Sequence, residues 1–146
     1  MNWKKYTKRK NLDEYSFFWS EARLILAAVS LFVGGTPVIF AFGYNPVFSS
    51  LLNLSWIISG AASLYLLYRW NQNHRKIFGG KDQKDMIAFF ISIVSGLNLG
   101  VAGLLANNIG MSISSNRFVF IIVGILYLFA ARHLFLRWKE HENKIF

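Results

Sequence analysis

The chain has no cysteine, only two prolines and few charged residues among its 146 positions. The absence of cysteine excludes disulfides, thiol catalysis, iron–sulfur clusters and most structural zinc sites. Charged residues make up 16% of the chain and hydrophobic residues 54%, whereas about a quarter of an average soluble protein is charged. This balance disfavours a soluble domain and makes a membrane protein the first hypothesis.

Two long stretches without any charged residue or histidine predict the membrane spans. The first stretch, 24–68, has 45 residues, about 67 Å of helix, which is enough for two crossings of a ~30 Å hydrocarbon core. Asn45 and Pro46 predict the turn between these crossings. The second stretch, 86–116, predicts a third span and then a polar loop. The four predicted spans cover 22–43, 48–69, 86–107 and 118–138.

The predicted fold class is an all-α integral membrane protein with four transmembrane helices. These spans form one membrane domain, 22–138, which leaves no segment long enough for a separate soluble core. A basic and aromatic cytoplasmic segment, 1–21, precedes the membrane domain, and a short cytoplasmic tail, 139–146, follows it.

The N-terminal segment carries the signal of a helix start. Asn11 is followed by Asp13 and Glu14, and a capping Asn with acids in the first turn is typical of a helix N-terminus. We therefore expect a short interfacial helix over 12–21. A simple extension of the first span is the alternative interpretation.

The distribution of charge predicts the orientation of the four spans. All seven acidic residues and 15 of the 16 basic residues fall on one side, and only Arg117 lies in the opposite loops. The positive-inside rule places the charged side, with both termini, in the cytoplasm. The expected location is the inner membrane of a prokaryote. The net charge of +9 is thus interpreted as a topology signal, and no nucleic-acid partner is expected.

Basic and aromatic residues next to the spans predict contact with lipid headgroups. Each such charge is attracted to an anionic inner leaflet by about 1 kcal/mol, and Trp favours the headgroup layer. Anionic membrane lipids are therefore the first expected partners. The predicted headgroup contacts are Lys4, Lys5, Lys8, Arg9, Lys10, Arg69, Trp70, Arg137 and Trp138.

A short motif occurs twice and predicts an internal repeat. Arg69-Trp70-x5-Lys76-Ile77-Phe78 matches Arg137-Trp138-x5-Lys144-Ile145-Phe146 at a shift of 68 residues. We interpret the match as a duplicated helical hairpin, a parallel repeat about an axis along the membrane normal. The alternative is that Arg-Trp anchors recur wherever a span leaves the membrane on its basic side.

Small residues at helical spacing predict close helix packing. They suggest that the third span associates with another helix, with a second copy of the chain or with another membrane protein. The predicted packing residues are Ser92, Gly96, Gly100 and Gly103 on the third span and Ala27, Ser30 and Gly34 on the first.

Four residues inside the spans form the candidate polar path: Asn53, Asn98, Pro37 and Arg132. An unpaired amide in hydrocarbon costs several kcal/mol, so Asn98 either bonds a neighbouring helix or lines a path. Pro37 predicts a kink in the outer half of the first span. Arg132 either reaches lipid phosphate or binds an anionic substrate or a second subunit.

No arrangement of residues suggests catalysis, so no catalytic, cofactor or metal site is predicted. The predicted spans contain no acid, and the three histidines are not spaced as metal ligands. The leading expectation is a non-catalytic subunit or scaffold of a membrane complex or homo-oligomer. The alternative is a small transporter, channel or lipid-linked flippase with a polar path between the repeated hairpins. A water-accessible cavity reaching Asn98 or Arg132 would favour the alternative, and a dry core with Gly96 and Gly100 against a neighbouring helix would disfavour it.

Overall fold

The computed structural model describes residues 9–106 and 108–146, and these residues form an all-helical chain. They contain no β-strand, only an isolated bridge between Ile77 and Gly80. The elements are α1 (Arg9–Phe32), a 3₁₀ helix (Val38–Phe42), α2 (Pro46–Gln72), α3 (Gln83–Leu105), a short α4 (Ile109–Ile113) and α5 (Arg117–Glu140).

Three helices, α2, α3 and α5, are long and apolar enough to cross a membrane. Helix α1 is not one of them, because six of its first 15 residues are charged. Only nine of its residues, 24–32, follow the last of these charges, which is about 14 Å of helix. The expectation of four apolar spans therefore holds for three helices.

The first helix also ends earlier than predicted. It stops at Phe32, and the chain turns at Gly34 and Gly35, whose φ angles are +92° and +87°. Positive φ angles are accessible to Gly and end a right-handed helix. Pro37 then precedes the 3₁₀ helix, so it kinks no helix. The span predicted over 22–43 is corrected to a helix, a turn and a 3₁₀ helix.

The N-terminal prediction is corrected as well. A single helix, α1, runs through 12–21 without interruption, so there is no separate interfacial helix among the described residues. The continuous helix is the alternative interpretation of the same sequence pattern.

Side-chain caps explain where the other long helices begin. Asn45 accepts a hydrogen bond from the Val47 N–H at 2.8 Å, and Pro46 occupies the first helical position of α2. Asp82 caps α3 and Asn116 caps α5 in the same manner. These caps satisfy backbone N–H groups that have no partner within the helix. The turn predicted at Asn45 and Pro46 lies where α2 begins.

The four long helices form a bundle with two different ends. Helix α2 packs most extensively against α3, and α1 against α5, while α1–α2 and α3–α5 contacts close the ring. We call the end where α2 and α5 finish, with Arg69 and Arg137, the basic end. The loop end is the opposite one, formed by 33–45 and 108–116.

A buried apolar cluster fills the half of the bundle next to the basic end. Its largest members come from all four long helices and from the two segments that follow α2 and α5. They are Phe17, Leu24, Leu66, Ile77, Phe78, Phe89, Ile93, Leu134, Trp138 and Ile145. Many large apolar side chains also cover the outside of the bundle, among them Leu64, Val94 and Phe129. An apolar exterior of this kind is typical of helices in lipid.

The chain makes the same turn after α2 and after α5. The N–H groups of Asn73 and Arg75 donate to the carbonyls of Arg69 and Trp70 at 2.9 and 3.0 Å. After α5, the N–H groups of His141 and Asn143 donate to Arg137 and Trp138, both at 3.0 Å. The two residues after each first donor have positive φ: 54° and 60° at His74 and Arg75, 50° and 59° at Glu142 and Asn143. The two copies of the Arg-Trp motif therefore have the same backbone conformation.

Candidate functional site

A cavity of about 600 Å³ occupies the half of the bundle next to the loop end. Its wall runs from Trp19 to Leu31 on α1, from Leu51 to Ser59 on α2 and from Val119 to Tyr127 on α5. Helix α3 adds Ser95, Asn98 and Leu99, and the segments of the loop end complete the rim. The volume is within the ~300–1,000 Å³ typical of ligand sites.

Arg23 forms the polar floor of this cavity. It is only 6% exposed, and its two terminal nitrogens donate to the Ser95 Oγ at 3.0 Å and the Ser92 carbonyl at 2.8 Å. Its Nε has no hydrogen-bond partner among the described residues. The guanidinium is thus held by neutral groups of α3 and borders the cavity.

Arg23 lies deep in the bundle. It is ten residues beyond Asp13 on α1, and its partner Ser95 is ten residues beyond Asp85 on α3. Both Asp residues pair with Arg side chains at the basic end. Ten helical residues span ~15 Å, about half of a ~30 Å hydrocarbon layer. Two independent helices therefore place the guanidinium near the middle of the bundle.

Two exposed leucines lie in the wall between α1 and α2. Leu26 on α1 and Leu51 on α2 both line the cavity, and each is 52% exposed. Nearer the basic end, the Trp19 indole N–H donates to the Ser59 Oγ at 3.0 Å and links the two helices. An interhelical hydrogen bond therefore joins α1 to α2 next to the cavity.

Asn98 connects the cavity to the loop end. Its side-chain amide donates to the Asn108 Oδ1 at 2.9 Å, and its own Oδ1 accepts the Gly110 N–H at 3.1 Å. Asn108 also caps the short α4. The structure contains features of both interpretations of Asn98. This residue forms hydrogen bonds with the neighbouring loop segment, and it also lines the cavity.

Of the other members of the candidate polar path, only one lines the cavity. Pro37 lies at the cavity wall, in the loop that follows α1. Asn53 and Arg132 are exposed, and neither contributes to the wall. Of the four predicted path residues, Asn98 and Pro37 therefore line the cavity and Asn53 and Arg132 do not, and Arg23 is the charged residue of the wall.

The small residues of α3 pack against α2 of the same chain. A Cβ on Gly100 would lie 2.7 Å from the Cα of Gly60, and one on Gly103 would lie 3.0 Å from the Asn53 carbonyl oxygen. A Cβ on Gly96 would meet the Ser63 hydroxyl. Ser92 is buried and binds Arg23. The ridge thus serves packing within the bundle.

The small residues predicted on the first span have another environment. Ala27 and Ser30 line the cavity, and the Ser30 hydroxyl donates to the Leu26 carbonyl at 2.9 Å. Gly34 lies in the turn after α1, where a Cβ would meet nothing within 4 Å. These three residues therefore do not form a helix-packing face.

Arg69 and Arg137 pair with carboxylates inside the protein. Arg69 donates through Nε and Nη2 to Asp13 at 2.7 and 2.8 Å. Arg137 donates to Asp85 at 3.0 Å, and the His133 ring lies 2.8 Å from the same carboxylate. Bidentate pairs of this kind are stronger than single hydrogen bonds. Both arginines therefore form ion pairs within the chain, and the Arg137 side chain is still 34% exposed. Their contact with lipid headgroups stays a prediction.

The accompanying tryptophans are also internal. Trp138 is 9% exposed and stacks on Phe17 with ring centres 6.1 Å apart. Trp70 is half-buried and meets the edge of Phe90 at 5.1 Å. Arg9 and Lys10 are exposed and available to headgroups. The predictions for Lys4, Lys5 and Lys8 lie outside the described residues.

Each arginine also contacts the other copy of the motif. Arg69 lies over the Phe146 ring at 5.5 Å, and Arg137 lies over the Phe78 ring at 5.9 Å. The Phe78 N–H donates to the Ile145 carbonyl at 2.8 Å, which joins the two segments directly. At the basic end, each copy of the motif therefore contacts the other copy.

Sequence reasoning missed Arg23 and Glu21 as interior residues, because both were assigned to the charged end. The available signal was the spacing on α1, where Phe17, Ser20, Leu24 and Ala28 recur at three or four residues and are buried. Glu21 and Arg23 fall within this stretch. Asp13 and Asp85 could not be assigned partners, since these lie 56 and 52 residues away.

The described part of the chain contains no cluster of three or more His, Asp or Glu that could hold a metal ion. No protein-family model, curated protein or solved structure matches the sequence.

Proposed function

We propose that the protein is a non-catalytic membrane transporter or lipid-linked flippase, and that the cavity is its ligand site. The observation that supports this best is a one-sided cavity of about 600 Å³ with a buried arginine at its floor. The apolar cluster closes the other half of the bundle. A site confined to one half of the bundle and sealed from the other end is compatible with alternating access.

The proposal includes four crossings, with α1 as the fourth. Helix α1 has 24 residues, about 36 Å, which is long enough to cross. Its two deepest charges, Glu21 and Arg23, are each 6% exposed and so turn into the protein. Intramembrane charges are tolerated in that position. The basic end would face the cytoplasm of a prokaryote, and the cavity would open on the opposite side.

The proposal also includes an internal repeat that relates the hairpins α1–α2 and α3–α5. Three features support it: the matching turns after α2 and α5, the two Asp–Arg pairs and the exchanged Arg–Phe contacts. The most extensive helix contacts, α2–α3 and α1–α5, also correspond under this exchange. The repeat places the α1–α3 contact, with Arg23 on Ser92 and Ser95, near the pseudo-symmetry axis.

The subunit or scaffold role stays a prediction, as does association into oligomers. The small-residue ridge that suggested it is covered by α2 of the same chain. The ridge therefore leaves no free seam for a second copy, and the cavity favours transport.

A lipid-translocation measurement tests the proposal. Purified protein is reconstituted into vesicles that contain a fluorescent phosphatidylglycerol, and dithionite is added outside. Active protein exposes inner-leaflet probe to dithionite, so bleaching continues beyond the outer-leaflet fraction. An Ala27→Trp variant, which fills the cavity, should slow this second phase. Ala61→Trp is the matched control, because Ala61 is exposed on α2 and distant from the wall.

Two results would contradict the proposal. One is bleaching of the protein vesicles that matches empty vesicles for both anionic and zwitterionic probes. The other is equal translocation by the Ala27→Trp variant and the unmodified protein.

A further inference from the structure

We infer that the ligand of the cavity is an anionic amphiphile, with its carboxylate or phosphate on Arg23 and its hydrocarbon chain along the apolar wall. This inference rests on the proposed function, since it names the ligand class of the same site. It is carried by the geometry of one side chain and of the wall around it.

The first step concerns charge. A buried cation that is bound only by neutral groups is costly unless an anion approaches it. Arg23 donates to a hydroxyl and a carbonyl of α3, and it makes no salt bridge among the described residues. Its Nε has no partner there but is shielded within the bundle, so contact with a ligand falls to the terminal nitrogens. A guanidinium has five N–H donors in a planar fork that matches carboxylate and phosphate. Nη1 donates one hydrogen bond, to Ser95, so its second N–H remains for a ligand.

The second step concerns the charge of the residues that line the cavity. Arg23 is the one Asp, Glu, Lys or Arg residue in the wall as far as the chain is described. Glu21 is close along α1 but lies two residues away, about 200° around the helix, and it is not part of the wall. The wall itself therefore carries no carboxylate, and Glu21 acts on Arg23 only from outside it.

The third step concerns the tail. Apolar side chains form most of the wall, and polar groups are scattered among them: Ser30, Ser55, Ser59, Ser95, Asn98, Asn108 and Ser114. Leu26 and Leu51 line this wall between α1 and α2, and each is about half-exposed. A headgroup at Arg23 thus has an apolar surface along which an acyl chain can lie.

Photo-crosslinking tests the ligand class by binding and not by transport. Three diazirine probes are compared on the purified protein in mild detergent: palmitic acid, a lysophosphatidic acid and hexadecanol. Labelled residues are mapped by peptide mass spectrometry. We expect both acids to label cavity residues such as Leu26, Leu51 and Val119, and the uncharged alcohol to label them at least about tenfold less at the same concentration.

Substitutions of Arg23 test whether labelling by the acids depends on this side chain. Arg23→Gln should reduce acid labelling of the wall about tenfold and leave alcohol labelling unchanged, and Arg23→Lys should restore part of it. Arg132→Gln is the matched control, because Arg132 is an exposed arginine outside the wall. Should Arg23→Gln fail to fold, Ala27→Trp provides the second test: it keeps the charge and should displace both acids.

The outcomes separate the two proposals. Equal labelling of the wall by acids and alcohol, unaffected by Arg23→Gln, overturns the ligand class while leaving the cavity as a ligand site. Preferential labelling by only one acid supports the inference and identifies the headgroup. Labelling confined to the outer surface of α2 and α5 would contradict the inference and the proposed site together.

Discussion

At the scale of single residues, glycines decide how closely α2 and α3 approach. Gly60 and Gly100 face each other so closely that a Cβ on either would lie 2.7 Å from the Cα of the other. Backbones in such contact cannot accommodate a methyl group without moving apart. The small-residue pattern predicts such an approach, but it does not name the partner helix.

The Gly100→Ala variant should therefore be less stable. Overpacking a tight interface typically costs ~1–3 kcal/mol, and here the obstacle is backbone and not a flexible side chain. The free energy of unfolding is measured in mixed detergent micelles from the loss of helical circular dichroism.

Ala61→Val is the control for this measurement. Ala61 is exposed on α2, next to Gly60, so its added methyl groups should change stability by less than about 0.5 kcal/mol. Equal effects of the two substitutions would show that the Gly60–Gly100 contact does not limit the packing.

At the scale of elements, the segments after α2 and α5 fill equivalent positions in the apolar cluster next to the basic end. Ile77 and Ile145 occupy the same position in the two motifs and are 1% and 4% exposed. Both belong to the cluster that includes Phe17, Phe89 and Leu134. A repeated sequence is thus accompanied by repeated burial.

Ile77→Ala and Ile145→Ala should each destabilise the protein, and by similar amounts. Removing a fully buried Ile side chain costs ~2–5 kcal/mol, and the midpoint of thermal unfolding in detergent reports it. Ile113→Ala serves as the control, because Ile113 is 81% exposed. A large loss at Ile77 alone would contradict the equivalence of the two segments.

At the scale of the whole molecule, the membrane topology depends on whether α1 crosses. By composition only α2, α3 and α5 are apolar enough to cross a membrane. Three crossings alone would not determine on which side of the membrane the N-terminal end of α1 lies. The packing runs α1 along the full bundle, with Asp13 at Arg69 on the basic end and Gly35 at Phe120 near the loop end.

The absence of cysteine makes this topology directly testable. Single cysteines are introduced as Lys10→Cys, Lys81→Cys and Tyr44→Cys, all at exposed positions. A membrane-impermeant maleimide should label position 44 in intact cells and positions 10 and 81 only after lysis. Labelling of position 10 in intact cells would show that α1 does not cross.

The sequence by itself determines the helical class, the approximate extent of the three apolar helices α2, α3 and α5, and the turn at Asn45 and Pro46. These depend on composition, on runs without charge and on local turn chemistry, which neighbouring residues decide. The same local signals predict the wrong end for the first helix, because the Gly34-Gly35 turn that ends it lies within a run of apolar residues.

Only the tertiary structure decides which charges are internal and where the site lies. Asp13 meets Arg69, Asp85 meets Arg137 and Arg23 meets Ser95 across 52 to 72 residues of chain. Such pairs depend on the crossing of separate helices, and no periodicity within one helix specifies them. The cavity has the same origin, since its wall is assembled from side chains of all four long helices and of the loop end, with Arg23 at its floor.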